Sequence, residues 1–368
     1  MQKVTQVLYS GLGGHASVAF SLLDGDVDKQ WQPSMLFVGV EPLELAYQHQ
    51  CVAQGIDFGY VRSRQGRPWS SWVAVFKSLS CLRPDVVLLH SVSSLPPVAL
   101  YCLLHSVRLI AVEHTPIALK SYAERLMSWL ALLLVKRIVV LTEAYKIEHL
   151  GGFHWFQSQS KVVVIPNGID VVSYSPAESR MQSDTVQIGM AARFSCTKRQ
   201  DLLVSAILLL ERRHPEIRWR LSLAGYGDCY HHVHAQVERM GLTGRVELAG
   251  NLGPVDLRSW FQSLDLYAHA SEGEALSTSM LQAMATGLPI VASNVPGIKN
   301  LLHIDGRQLG LLSDDNTAEA FADGISILHF NLTLQEELSS AARACVMLSY
   351  NHQVMFKSYN SLIQGALN

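Results

Sequence analysis

Residues 264–297 read LDLYAHASEGEALSTSMLQAMATGLPIVASNVPG. A strand-like run at 265–269 leads into a turn of small and acidic residues, and a helix-length segment then extends from about Ser277 to Thr286. Gly287 follows, and a second strand-like run begins directly after it. A strand, a helix and another strand in this order are typical of a βαβ unit with parallel strands. The stretch therefore predicts part of a parallel α/β sheet.

The same alternation of short apolar runs and helix-length segments occurs along the whole chain. The runs lie at 4–9, 34–40, 57–61, 85–89, 107–112, 138–141 and 162–165 in the first half, and at 186–191, 219–224, 245–249, 265–269, 289–292 and 308–312 in the second. The turn-rich, polar stretch between the halves (NGIDVVSYSPAESRMQSD, 167–184) is typical of a linker. We predict two Rossmann-like, doubly wound domains that face each other across a cleft, because ligands bind at the carboxyl ends of such strands.

This pattern predicts three segments. We expect an N-terminal domain at 1–166, a C-terminal domain at 167–348, and a terminal helix within 349–368 that packs back toward the N-terminal domain. The apolar segment 118–137 is expected to form a core helix of the N-terminal domain.

Composition excludes several classes of protein. The chain has 368 residues, 49% of them hydrophobic, and a formal net charge of −2, which argues against an electrostatically driven nucleic-acid binder. Six scattered cysteines without a CxxC pair favour reduced thiols in a cytoplasmic protein. The longest apolar run, 126–135, is shorter than the ~20 residues that span a bilayer, and we expect no signal peptide.

The first glycine-rich loop allows two interpretations. In LYSGLGGHASVAF (8–20), Gly11, Gly13 and Ala16 satisfy the dinucleotide-binding fingerprint, and Glu41 could serve as the acid that contacts a ribose. Alternatively, Gly13 and Gly14 let the backbone approach a different phosphorylated ligand.

The second half carries more specific candidates. Arg193 and Lys198 lie on a loop after a strand, where they suit a diphosphate or are simply two solvated charges. Gly225 belongs to a second glycine-rich turn, a weaker candidate for donor binding, where the backbone could approach a ligand closely. The acidic turn of the opening stretch precedes a helix, so the amides of Leu276 and Ser277 are candidate donors to anionic oxygens.

Together these stretches resemble the retaining GT-B glycosyltransferases of glycosyltransferase family 4, the glycogen-synthase-like group. The resemblance lies in Arg193-Phe-Ser-Cys-Thr-Lys198, AGYGD (224–228), and the segment from Glu274 to Gln282 followed by AMATGLPIVAS (283–293). VIPNGID (164–170) and NVPGIKNLL (294–302) are similar to the family too. The likeness covers the C-terminal half closely and the N-terminal half more loosely.

The resemblance implies roles for individual residues. The family spacing selects Glu274 over Glu272 as the carboxylate that contacts the transferred sugar, and Gln282 stands where the family usually has a second glutamate that binds the ribose. A glutamine still accepts a hydrogen bond but carries no charge, which weakens that contact. The loop at Asn251 is expected near the base.

In the N-terminal half, the resemblance gives Gly13 and Gly14 to the donor phosphate and the transferred sugar. His114, after a strand, is expected near the sugar hydroxyls, unless it only bonds local backbone, and His90 is a weaker rival for that place. The dehydrogenase interpretation does not account for the C-terminal motifs, so we favour the sugar-nucleotide loop.

The resemblance implies a retaining, metal-independent glycosyltransferase that moves a sugar from a UDP- or GDP-sugar to a hydroxyl acceptor. We expect a saccharide or lipid-linked saccharide as acceptor, in cell-surface polysaccharide biosynthesis, with no cofactor because the nucleotide-sugar is a substrate. The alternatives are a GT-B epimerase or phosphorylase, and a non-catalytic binding member, which Gln282 would suit.

Two surface features remain. His231, His232 and His234 do not have the spacing of a metal site, and we expect a solvated helix surface there. The segment 62–77 combines basic residues with two tryptophans, so it predicts either peripheral docking on the inner membrane or an ordinary amphipathic helix with a basic edge.

Overall fold

The computed structural model describes residues 1–11, 14–151, 161–178 and 184–365. The chain forms two compact units, Met1–Gly168 together with His352–Asn368, and Ile169–Asn351.

The N-terminal unit is built on a seven-stranded sheet in which every neighbouring pair is parallel. The strands are β1 (Gln2–Tyr9), β2 (Trp31–Gly39), β3 (Asp57–Arg62), β4 (Val86–Leu89), β5 (Arg108–Glu113), β6 (Arg137–Val140) and β7 (Val162–Val164). Their order is β3-β2-β1-β4-β5-β6-β7, with Val4 of β1 opposite Pro33 on one side and Val86 on the other. The order therefore reverses between β1 and β4, and the carboxyl ends of these strands form the expected place for a ligand.

Helices cover both faces of this sheet. They are α1 (Gly14–Asp24), α2 (Leu45–Gln54), α3 (Trp72–Leu82), α4 (Leu95–Leu104), α5 (Tyr122–Leu134) and α6 (Glu143–Leu150), with short 3₁₀ turns at Pro68–Ser71, Val92–Ser94 and Ile117–Leu119.

The C-terminal unit repeats this topology with six parallel strands. They are β8 (Thr185–Ala191), β9 (Arg218–Ala224), β10 (Val246–Gly250), β11 (Leu266–His269), β12 (Ile290–Ser293) and, after the short antiparallel pair β13 (His303–Ile304) and β14 (Arg307–Gln308), β15 (Leu311–Ser313). The order is β10-β9-β8-β11-β12-β15, so it reverses between β8 and β11.

The described residues of this unit form seven helices. They are α7 (Gln200–Arg213), α8 (Tyr230–Arg239), α9 (Pro254–Gln262), α10 (Thr278–Ala285), α11 (Pro296–Leu302), α12 (Ala318–Phe330) and α13 (Leu332–Ser349). The apolar side of α7 packs on β9, where Trp219 and Leu221 are fully buried beside Leu203 and Ile207.

The predicted fold class is confirmed, since both units are parallel α/β sheets and each predicted run contains or overlaps a strand. In the run at 308–312, the strand that joins the large sheet, β15, begins only at Leu311. Asp305 and Gly306 adopt the left-handed conformation, so the residues on either side of them pair as the β13–β14 hairpin.

The last helix, α14 (His352–Gln364), packs into the N-terminal unit. Phe356 stacks at a tilt on Trp31, with ring centroids 4.8 Å apart, and Trp31 Nε1 donates to Asn360 Oδ1 at 3.0 Å. The expected boundaries at 166 and 348 fall two residues before Gly168 and three residues before Asn351, the positions after which the chain passes from one unit to the other.

The expectation of a core helix at 118–137 is wrong in part. A capping box of Ser121 and Glu124 starts α5 only at Tyr122, and one side of the helix is exposed. Leu126 and Leu133 are 45% and 56% exposed, whereas Ala131 is fully buried. The helix is therefore amphipathic, with an exposed apolar side. Within the described ranges, no helix has the length and apolar character needed to cross a membrane.

Candidate active site

The two loops that follow β8 and β11 contact each other at the point where the strand order of the C-terminal unit reverses. Lys198 and Ser271 form an antiparallel bridge between these loops. The amide of Arg199 donates to the carbonyl of Ala270 at 3.0 Å, and the amide of Glu272 donates to Thr197 at 2.8 Å. This backbone pairing brings the predicted cationic loop beside the predicted acidic turn.

Glu274 is the centre of this arrangement. Its carboxylate forms an ion pair with Lys198 Nζ and accepts a hydrogen bond from His269 Nε2 at 2.8 Å. The side chains of Glu274 and Lys198 are only 14% and 16% exposed. Burial would raise the pKa of Glu274, but the Lys198 ammonium and the His269 hydrogen bond outweigh it and lower this pKa to about 2. The carboxylate is therefore anionic at any working pH.

A polar relay on β11 supports Glu274 from behind. Burial lowers the pKa of His269, so its ring is neutral, with the proton on the nitrogen that faces the carboxylate. The other nitrogen, Nδ1, is then an acceptor for the hydroxyl of Tyr267 at 3.2 Å, and the Tyr267 oxygen also lies 3.0 Å from Ser279 Oγ. Neither His269 nor Tyr267 is predicted from the sequence as a site residue. The signal was their spacing, since positions two apart on a strand share one face.

Glu272, the rival in register, has a different environment. It pairs with Arg199 at 2.7 Å and its side chain is 54% exposed, while Arg199 also pairs with Asp201 at 2.9 Å. This ion-pair group is more exposed than the Lys198–Glu274 pair, so the geometry favours Glu274 as the functional carboxylate.

Arg193 and Lys198 differ in burial. Arg193 lies exposed two residues after the end of β8, and its carbonyl accepts from Gln200 Nε2 at 3.3 Å. Lys198 is not a solvated charge, because it is largely buried against the carboxylate.

The start of α10 lies beside this acidic turn. Ser277 is the N-cap of the helix and accepts from the amide of Met280, and Leu276 before it is buried. The first-turn amides of the helix thus lie close to Glu274 in sequence and carry the partial positive charge of a helix N-terminus.

Gln282, one turn further along α10, has a partner within the unit. Its side chain is hydrogen-bonded to the hydroxyl of Tyr174, whose pKa burial raises to about 12. Tyr174 is itself held edge-to-face against Phe261, with ring centroids 5.8 Å apart. A glutamine therefore has a local packing role here besides the ribose contact that the sequence predicts.

The glycine-rich turn after β9 packs on the loop after β8. Gly225 has a φ of +128°, and a Cβ there would lie 2.1 Å from the carbonyl oxygen of Ala192. Its amide donates at 2.7 Å to Gly250, after which Asn251 is exposed. Glycine is therefore required at this position, because the two loops pack too closely to leave room for a Cβ.

The same two loops bring two cysteines together. The Sγ atoms of Cys196 and Cys229 are 3.5 Å apart, although the residues are 33 positions apart in sequence. Both are free thiols. No spacing rule for cysteines indicates this pair, because it depends on the packing of the turn after β9.

In the N-terminal unit, the predicted His114 follows β5 and is joined to His90, which follows β4. His90 Nδ1 and His114 Nε2 are 2.8 Å apart, and the ring of His15 on α1 stacks on His114 with centroids 4.4 Å apart. His90 is thus a hydrogen-bond partner of His114 and not a rival for its place. Gly13 lies outside the described residues, whereas a Cβ at Gly14 would meet no atom within 4 Å.

The remaining surface candidates are exposed. His231, His232 and His234 lie on the outside of α8, and no group of three or more His, Cys, Asp or Glu in the described part of the chain is placed to hold a metal ion. Trp69 and Trp72 are 60% and 38% exposed, so the segment 62–77 presents aromatic rings to solvent.

Comparisons with known families agree with this architecture. A family model described as "Glycosyltransferase Family 4" matches residues 12–172, and one described as "Glycosyl transferases group 1" matches 185–331. Together they cover both units and the two loops around Glu274. The chain belongs to glycosyltransferase family 4.

Two curated relatives illustrate this family 4 membership. The D-inositol 3-phosphate glycosyltransferase of Paenarthrobacter aurescens is 26% identical over 227 residues, which are 58% of this chain and 55% of the relative. One subunit of the Arabidopsis thaliana phosphatidylinositol N-acetylglucosaminyltransferase is 30% identical over 171 residues, 46% of this chain and 38% of the relative. The matches thus span about half of the relatives' length or less.

Solved structures show the same fold over nearly the whole of this family 4 chain. Anabaena HepE in complex with UDP and glucose matches 99% of the chain and 100% of its own, with 18% identity and a TM-score of 0.82. Sucrose-phosphate synthase from Thermosynechococcus elongatus matches 100% and 99%, with 15% identity and a TM-score of 0.80. The fold is therefore that of the GT-B glycosyltransferases.

Proposed function

We propose that the protein transfers a sugar from a nucleotide-sugar donor to a hydroxyl acceptor with retention of anomeric configuration. The observation that supports this most is the buried, anionic Glu274, held by Lys198 and His269 where the strand order of the C-terminal unit reverses. Ligands of doubly wound sheets bind at such points.

The chemistry follows from the charges. With a pKa of about 2, Glu274 does not act as a proton donor at neutral pH but accepts hydrogen bonds from sugar hydroxyls. Lys198, Arg193 and the start of α10 supply positive charge to a leaving diphosphate. In this proposal these groups replace a metal ion and no cofactor takes part, since the nucleotide-sugar is a substrate. Front-side departure assisted by the phosphate accounts for retention.

The substrates are proposed by chemical class. HepE, similar in fold, has been solved with UDP-glucose bound, and the curated relatives are named for transfer to inositol phosphate and phosphatidylinositol. We therefore propose a UDP- or GDP-sugar as donor and a saccharide or lipid-linked saccharide as acceptor. The exposed tryptophans and arginines of 62–77 would suit peripheral contact with a membrane that carries such an acceptor.

Calorimetric binding of UDP, GDP and ADP, with magnesium and with EDTA, tests the donor site. We expect selective, magnesium-independent binding of one diphosphate, weakened by Arg193→Ala, and kcat about 100-fold lower in Arg193→Ala and Lys198→Ala because each removes a charge from the leaving group. The matched control is Arg199→Ala, a change on the same loop whose partners are the half-buried Asp201 and the exposed Glu272.

Other outcomes separate the alternatives. No binding of any diphosphate by the folded protein would indicate a non-catalytic member. Conversion of a nucleotide-sugar without an acceptor would indicate an epimerase, and a requirement for free phosphate a phosphorylase. Near-normal kcat in both alanine variants would contradict the roles of Arg193 and Lys198.

A further inference from the structure

A chain of hydrogen bonds runs through the core of the N-terminal unit and ends at His114. Gln6, on β1, donates from Nε2 to the carbonyl of Ala19 at 3.2 Å. Its Oε1 lies 2.9 Å from His90 Nε2, and His90 Nδ1 lies 2.8 Å from His114 Nε2. Gln6 is fully buried and His90 is 3% exposed, so no solvent competes for these bonds.

The direction of every bond in this chain is fixed from its inner end. A main-chain carbonyl only accepts, so the amide nitrogen of Gln6 must face Ala19 and its oxygen must face His90. That oxygen also only accepts, so the proton of a neutral His90 is on Nε2. His90 Nδ1 is then an acceptor, and the proton between the two rings belongs to His114 Nε2.

The surroundings keep these rings neutral. Burial, and the His15 ring, lower the pKa of His90 to about 3, and burial together with His15, His90 and Lys120 lowers the pKa of His114 well below its usual value. Glu113, the carboxylate with the largest effect on His15, is engaged in a buried ion pair with Lys120. Glu124, which acts on His15 from α5, is held in the capping box at Ser121.

We propose that Gln6 and His90 are positioning residues that lock His114 in the tautomer protonated at Nε2, so that its Nδ1 lone pair accepts a hydrogen bond from a sugar hydroxyl. No described residue is hydrogen-bonded to His114 Nδ1, and His114 is only partly buried, which leaves this nitrogen for a ligand. The ligand part of the proposal rests on the proposed function. The tautomer part does not, because it follows from contacts within the free protein.

The lock has a chemical consequence for the ligand. An acceptor nitrogen at this place selects a group that donates a hydrogen bond, such as a hydroxyl, and disfavours a carbonyl or a phosphate oxygen. With the opposite tautomer, His114 would present an N–H group and the preference would reverse. The identity of residues 6 and 90 therefore decides whether His114 binds a ligand atom that donates a hydrogen bond or one that accepts it.

The first test is made on the free protein. Long-range ¹H–¹⁵N correlation spectra of protein labelled with ¹⁵N-histidine, recorded at pH 7.5, distinguish protonated from unprotonated ring nitrogens. We expect His114 with Nε2 protonated and Nδ1 unprotonated. A His114 ring that is protonated on Nδ1, or on both nitrogens, would overturn the proposal whatever the activity of the protein.

A charge variant tests the role of Gln6. In Gln6→Glu a carboxylate accepts from His90 Nε2 and stabilises the imidazolium form, in which both nitrogens donate. His90 Nδ1–H must then pair with an unprotonated Nε2 of His114, so the His114 proton moves to Nδ1 as the pH is lowered from 7.5 to 5. Gln32→Glu, the same change at an exposed position of the same sheet, should leave the His114 signals unchanged. Unchanged signals in folded Gln6→Glu would contradict the lock.

A second pair of variants keeps the proposal testable if Gln6→Glu does not fold. His90→Asn keeps a side-chain oxygen that can accept a hydrogen bond from His114 Nε2–H, whereas His90→Leu removes the acceptor. We expect the original His114 tautomer in the asparagine variant and a mixture of tautomers in the leucine variant. Equal spectra for the two variants would count against His90 as a positioning residue.

Titration with UDP-glucose and GDP-mannose separates the two proposals. A hydroxyl bound to His114 should shift its Nδ1 resonance, and UDP or GDP alone should not. Binding without any shift of Nδ1 would overturn the hydroxyl contact. A locked tautomer in a protein that binds no sugar nucleotide would contradict the proposed function and leave the lock standing.

Discussion

Glu274 shows how neighbouring groups decide what a carboxylate can do. A buried carboxylate without partners is neutral near pH 7 and can serve as an acid. Glu274 has two partners, Lys198 and His269, and their effect exceeds that of burial, so its pKa falls to about 2. The residue is therefore a fixed negative charge beside the Lys198 ammonium, and under the proposed function the same site also holds a charged diphosphate.

Replacement of this charge should reduce turnover strongly. Glu274→Gln keeps the shape of the side chain but leaves Lys198 without its counter-charge and weakens the contact with sugar hydroxyls. We expect kcat to fall about 100-fold, the size of effect found when one well-placed charged or polar group is lost from an active site. Steady-state kinetics with the donor found by calorimetry measures it.

Glu272→Gln is the matched control. Its carboxylate is 54% exposed and belongs to a surface pair with Arg199, where an ion pair contributes little. We expect less than a threefold change in kcat. The opposite ranking of the two variants would show that Glu272 is the functional carboxylate and that the assumed register is wrong.

At the scale of elements, the position of Glu274 depends on a glycine at the start of α11. Gly297 lies in the first turn of α11, and a Cβ there would be 1.8 Å from the carbonyl oxygen of Glu274. The backbone of the acidic turn thus rests directly on the start of α11. The φ of Gly297 lies outside the left-handed region, so glycine is required here by the lack of space for a Cβ and not by the backbone conformation.

Gly297→Ala should therefore displace Glu274 without touching a charged group. We expect kcat to fall at least tenfold, since small displacements of a catalytic group are costly. The control is Gly244→Ala, because a Cβ at Gly244 would meet nothing within 4 Å. Wild-type kinetics in Gly297→Ala, with an unchanged thermal midpoint, would mean that the acidic turn does not depend on this contact.

How far the sequence predicts the site depends on how local each signal is. Arg193, Lys198 and Glu274 stand in motifs with fixed spacing, and they lie on two loops that the sheet topology necessarily brings together. The link from His90 to His114 comes from packing between separate strands. No spacing in the sequence encodes such contacts, and a buried glutamine such as Gln6 gives no pattern at all.

At the scale of the whole molecule, the parallel sheets could be predicted because each strand is a short apolar run followed by a helix. The exposed side of α5 could not, since the number of apolar residues in a segment does not say which of them face solvent. Leu126 and Leu133 lie on its outer side, although the run looks like a continuous core segment.

The path of the chain makes the N-terminal unit depend on the C-terminal end. Phe356, 3% exposed, and Tyr359, 1% exposed, complete a core that also contains Val4 from β1 and Val86 from β4. A change near residue 356 should thus act on a sheet that begins more than 340 positions earlier, because β1 starts at Gln2.

Phe356→Ala should therefore destabilise the N-terminal unit selectively. Loss of a buried phenylalanine costs about 3–5 kcal/mol, so amides of β1 and β4 should exchange with deuterium faster, while those of β8 and β11 should keep their protection. Peptide-resolved hydrogen exchange measures both sets in one sample. Leu348→Ala, at a position of α13 that is 77% exposed, is the control and should alter neither set. Equal loss of protection in both sheets would mean that the two units unfold as one cooperative block. Faster exchange only in β8 and β11 would mean that α14 stabilises the C-terminal unit, which would contradict its assignment to the N-terminal unit.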